Sequence, residues 1–68
     1  MRYAVLIEPA GPNFSGYVPD LPGCIATGQT TADVEQSLRE AIRFHLDGLI
    51  EDGTPIPPAR TIAEYVEA

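Results

Sequence analysis

The chain has 68 residues, 44% of them hydrophobic and 21% charged, with ten acidic residues against four arginines and no lysine, for a net charge of −6. This is an ordinary globular composition for one small domain, too short to hold a second one. The acidity repels phosphate and excludes a nucleic-acid footprint of the usual basic kind, and it suits a basic protein partner as well as simple solubility. A single cysteine, Cys24, excludes an internal disulfide and a cysteine-based zinc cage. No apolar run is long enough to span a bilayer, and the N-terminus has no basic region followed by a long apolar segment. The expectation is a cytoplasmic protein. A domain of this size buries only about 60% of its unfolded surface, so self-association would help to stabilise it.

Met1 to Glu8 (MRYAVLIE) alternates, with Tyr3, Val5 and Ile7 on one side and Ala4 and Leu6 on the other. Both sides are apolar, which predicts a central strand ended by Pro9. Pro9 to Asn13 is dense in turn formers and forms a hairpin loop. A second strand, Phe14 to Val18, contains Gly16, the mark of a bulge or of a close backbone approach. Pro19-Asp20-Leu21-Pro22-Gly23 is a rigid connector, and a third strand runs from Cys24 to Thr27. Three strands on short loops make an antiparallel meander.

Thr30 to Asp52 is the one long helical pattern. Thr30 is its N-cap, with Asp33 positioned for a capping box, and Gly53 is its C-cap glycine, followed by Pro55, Pro57 and Pro58. Val34, Leu38, Ala41, Ile42, His45 and Leu49 fall in one narrow arc. About 22 residues at 1.5 Å each give about 33 Å, longer than strands of about 20 Å. The helix therefore overhangs its sheet and leaves Phe44, Leu46 and Ile50 without a sheet to cover them. An apolar patch of that size predicts a homo-oligomer, with Phe44, His45, Leu46, Leu49 and Ile50 as its interface. Thr54 to Arg60 is a proline-rich return, and Thr61 to Glu67 alternates again as a fourth strand beside the first. The fold class is α+β, β-β-β-α-β, one domain over residues 1–68.

The chain resembles a known family at Pro19-Asp20-Leu21-Pro22-Gly23-Cys24, at Gly28-Gln29-Thr30 and at Asp52-Gly53-Thr54-Pro55-Ile56-Pro57. These motifs, in that order from Tyr3 to about Val66, are similar to the HicB-like antitoxin domains of HicA–HicB toxin–antitoxin systems. The resemblance implies a partial RNase H-like fold. It also implies neutralisation of a small basic HicA-type toxin, an mRNA-cleaving ribonuclease, by covering its active surface. Many family members carry an added DNA-binding domain; these 68 residues hold none, so direct DNA binding is not expected.

Asp20, with Leu21 and Tyr17, is the candidate partner-binding site. Asp20 can brace its own turn by accepting backbone N–H bonds, or stand as a rim charge facing a toxin lysine or arginine. Cys24 and His45 would need to meet, with a third orienting group, to form a nucleophile and its base; none can be assigned, and His45 is read as a structural or interface residue. Asp33, Glu40 and Asp47 point away from the apolar arc and form a solvated face rather than a metal site. No catalytic residue, cofactor or metal is assigned. Two alternatives to a binding protein are a minimal RNase H-like nuclease dependent on metal ions, which needs converging carboxylates, and an orphan oligomeric scaffold domain.

Overall fold

The structure, a computed structural model, describes all residues from Met1 to Ala68. Three strands, β1 (Leu6–Ala10), β2 (Asn13–Tyr17) and β3 (Ile25–Gly28), are followed by one helix, α1 (Thr31–Asp52). The strands form an antiparallel sheet in the order β1-β2-β3. The helix lies across one face, giving two layers and a thickness of only 15 Å against a length of 41 Å.

The helix ends where its caps dictate. Thr30 is extended (φ −132, ψ 162), and its hydroxyl accepts the Asp33 N–H at 3.0 Å. Gly53 takes φ 70, and its N–H reaches the Ile50 and Leu49 carbonyls, while Thr54 N–H donates to Leu49 at 2.9 Å. A left-handed glycine closing the last turn in this way satisfies carbonyls that the helix leaves free.

The helix seats on the sheet because the covered face is small there. Ile7, Gly16 and Ala26 are in register across the three strands, and Pro9, Phe14 and Gly28 form the next row. A Cβ built on Gly16 would stand 2.7 Å from Val34 Cγ1 and 3.0 Å from both Leu38 Cδ1 and the Leu6 carbonyl. The glycine thus marks a close approach; the register runs through it with no bulge. Val34 and Leu38, both fully buried, join Val18, Leu21 and Cys24 in the core. Tyr3, Val5, Ile7, Phe14, Ala26, Ile42 and Leu46 pack around it.

Three expectations are corrected. The first strand is β1 at Leu6–Ala10, an edge rather than a centre, and it includes Pro9 paired with Phe14. Proline is tolerated there because an edge strand has one side with no ladder partner to receive an N–H. The turn is then the two residues Gly11 and Pro12, with Gly11 at φ 63 as a two-residue hairpin needs. The second and third strands are each shifted by one residue, to Asn13–Tyr17 and Ile25–Gly28. The fourth strand is absent: residues 54–68 carry no helix or strand, and the last seven are exposed. Without it the order is β-β-β-α, and the outer edge of β1 has no neighbour.

Candidate protein-binding site

The outer face of the sheet, away from the helix, carries an apolar row. Leu6 pairs with Tyr17 and Tyr17 with Ile25, so the three side chains lie side by side across all three strands. They are 40%, 43% and 72% exposed. The neighbouring row on the same face is Glu8, Ser15 and Thr27, an acid and two hydroxyls. An apolar centre with a polar flank is the composition of a protein-binding surface rather than of a catalytic cleft. Tyr17, expected from the sequence, is at the middle of this row. Leu6 and Ile25 were not expected; the strand register aligns them with Tyr17, and a hairpin count from Gly11-Pro12 would have found Leu6.

Asp20 and Leu21 do not join it. Leu21 is fully buried, its N–H donating to Val18 and its carbonyl accepting from Cys24, so it is a core residue and not a partner contact. Asp20 is neither braced on its own turn nor a free rim charge. Its carboxylate accepts the Arg60 and Thr61 N–H groups, both at 2.9 Å, and the Thr61 hydroxyl at 2.8 Å. The Thr61 N–H holds its pKa below the usual 3.8, helped by the Thr61 hydroxyl, the Arg60 N–H and the Arg60 charge, against an opposing desolvation. It is a clamp across forty residues that pins the return from the helix onto the β2–β3 connector. Tyr3 assists, its hydroxyl donating to the Pro57 carbonyl at 2.6 Å.

The helix supplies a second surface. Beyond the sheet, Phe44 and Ile50 are 82% and 63% exposed, while His45, Leu46 and Leu49 are half-buried. Met1, Tyr3, Ile42, Phe44, Leu46 and Ile50 line an open groove of about 940 Å³ between the N-terminal segment and the helix. Its continuation is lined by Arg2, Val5, Glu35 and Arg39. Arg39 borders this groove while pairing with Glu35 at 3.0 Å and donating to Gln36 at 2.9 Å.

No such convergence is found for chemistry. Burial raises the Cys24 thiol pKa, the reverse of what activates a nucleophile. His45 is seven residues, about 10 Å of helix, past Leu38 in the core. No three of the histidine, cysteine, aspartate and glutamate side chains come together around a point that could hold a metal ion.

A family profile described as HicB_like antitoxin of bacterial toxin-antitoxin system matches residues 3–68. This chain belongs to the HicB-like antitoxin family. The match takes in both surfaces, from Tyr3 and the Leu6–Tyr17–Ile25 row to the exposed tail. Among solved structures, a chain of the HicA3 and HicB3 toxin–antitoxin complex is similar at a TM-score of 0.70 and 35% identity, over 87% of this chain and 70% of that one. Among proteins, an uncharacterised 14.9 kDa protein from the rep–hol intergenic region of Haemophilus phage HP1 (strain HP1c1) is 35% identical over 66 residues. Those residues are 97% of this chain and 50% of the phage protein, so this HicB-like chain spans half the length of that relative. Its helix is not long and apolar enough to cross a membrane.

Proposed function

We propose that this HicB-like chain is an antitoxin that binds a small basic HicA-type ribonuclease and covers its active surface, in the cytoplasm where mRNA is cleaved. The observation that carries this reading is the exposed Leu6–Tyr17–Ile25 row on the free face of the sheet. Family membership supports a toxin as its target, and so does the similarity to a chain of a HicA–HicB complex. A net charge of −6 favours a basic partner, because opposite fields speed encounter and orient it. The protein has a binding role rather than a catalytic one. It also self-associates through the C-terminal half of α1, where Phe44 and Ile50 would otherwise remain bare.

The test is RNA cleavage by a purified HicA-type toxin, titrated with this protein. The reading requires cleavage to fall to background near one equivalent. Undiminished cleavage at tenfold excess, with both proteins folded, would refute it.

A further inference from the structure

The residues after Thr61 have no role in the protomer. Ile62, Tyr65 and Val66 are 78%, 99% and 87% exposed, and no side chain beyond Thr61 makes a hydrogen bond. Yet Thr61–Glu67 (TIAEYVE) has the alternation and β-branched content of a strand. At the same time β1 presents an unpaired outer edge, and the groove between its N-terminal approach and α1 is uncovered. A bare strand edge is a liability that proteins remove by pairing it.

The protomer's own tail is badly placed to cover that edge. Extending the register of Leu6 with Tyr17 puts Tyr3 opposite Asp20 across the end of the sheet. The chain passes Tyr3 at Pro57 and is clamped to Asp20 at Arg60 and Thr61. Between these two contacts its path runs from the approach of β1 toward that of β2, away from the free edge. To return, it would have to turn back across the sheet end against a three-bond clamp.

We infer that Ile62–Glu67 of one copy pairs as a strand along the free edge of β1 in a second copy, covering the groove beside α1. This rests on the self-association part of the proposed function and not on the toxin part.

Length and charge both select this occupant. Six residues extend about 20 Å, enough to run beside β1 and its approach. In this strand Ile62, Glu64 and Val66 share one face, and Ala63, Tyr65 and Glu67 the other. Ile62 and Val66 suit the apolar groove wall of Tyr3, Ile42, Phe44 and Leu46. Glu64 between them meets the rim, where three of the four arginines stand: Arg2, Arg39 and Arg43. They balance Glu35, Glu40 and Asp47 there, so the groove is neutral in a molecule whose remaining surface carries the whole net charge of −6. An acidic segment is repelled least at this place, and a basic toxin is attracted least. Tyr65 emerges on the opposite face, next to Leu6 and Tyr17, and widens the apolar row there. The second copy thereby completes the β-β-β-α-β order in trans.

The experiment uses the full chain. Filtered NOE spectra are recorded on a mixture of isotope-labelled and unlabelled protein, with light scattering for mass. The inference requires intermolecular contacts from Ile62 and Val66 to Tyr3, Ile42 or Phe44. It also requires amide protection on the order of tenfold or more at Ala63 and Tyr65, whose N–H groups point the same way along a strand. Tyr65→Pro, which removes a strand donor from a segment with no contact inside the protomer, should convert the assembly to monomer while helix content is kept. A Tyr65→Pro protein with unchanged mass, or intermolecular contacts confined to α1, would overturn strand exchange and leave helix-mediated association standing. A monomeric wild type would overturn both. Toxin inhibition is measured separately, so its failure would leave the strand result intact.

Discussion

Gly16→Ala adds one methyl group at the place where the helix comes closest to the sheet. That Cβ would stand 2.7 Å from Val34 Cγ1, about 0.8 Å inside an ordinary carbon contact of about 3.5 Å. Val34 is β-branched and held in one rotamer on a helix, so it cannot swing aside. On the other sides stand Leu38 Cδ1 and the Leu6 carbonyl, both at 3.0 Å, the latter part of the β1 backbone. The helix must lift from the sheet. Overpacking of this kind costs about 1–3 kcal/mol, and three simultaneous contacts place it in the upper half. Removing a glycine returns up to about 1 kcal/mol through the unfolded chain, leaving a net loss of about 1–2 kcal/mol. At about 4–8 °C per kcal/mol for a domain of this size, the melting temperature should fall by about 5–15 °C by circular dichroism. Gly48→Ala is the matched control: nothing lies within 4 Å of its added Cβ on α1, and better helix propensity should raise stability by up to about 1 kcal/mol. If Gly16→Ala melts within about 2 °C of wild type, the close seating of Val34 and Leu38 on β2 is wrong.

Asp20→Asn should release the Arg60–Thr61 return, seen as faster hydrogen exchange at the Thr61 amide with the β2–β3 ladder unchanged; equal Thr61 protection would contradict the clamp. Because the folded carboxyl is held below 3.8, its contribution to stability is present above that value and is lost as pH falls through the lowered folded pKa. Thr61 protection should therefore be the same at pH 7 and pH 5 and decline below about pH 4, and a decline already complete at pH 5 would reverse the assigned direction. Ile50→Asp puts a charge on an exposed apolar position, so it should weaken self-association in light scattering while changing monomer stability by no more than about 0.5 kcal/mol. Unaltered mass across a concentration series would remove α1 from the interface.

The parts of the fold legible in the sequence are those whose causes are local. Thr30 and Gly53 announce the helix ends because a cap acts on backbone groups within a few residues of itself. Gly16 signalled a close approach because a glycine inside a strand has few other uses. Errors arose where a distant part of the chain decides. Pro9 looked like a strand stop, but on an edge its missing N–H costs nothing. Leu21 between two prolines looked like loop surface, yet the connector folds inward and makes it one of three fully buried side chains of the core. Asp20 finds its partners forty residues away, beyond any local pattern. In the tail, alternation of Ile62 and Val66 tells that a strand is wanted and does not tell which chain provides the edge. The binding row was half visible: Tyr17 stood out as an aromatic, while Leu6 and Ile25 gain meaning only from cross-strand register.

The central claim is that the free sheet face, through Tyr17, holds a basic toxin. Calorimetric titration of a purified HicA-type toxin into wild type and into Tyr17→Asp tests it most directly. Tyr17 is 43% exposed, so the variant should keep its fold. The account predicts saturable one-to-one binding that weakens with added salt, and a loss of at least tenfold in Kd for Tyr17→Asp, about 1.4 kcal/mol. A folded Tyr17→Asp protein binding the toxin as tightly as wild type would contradict it.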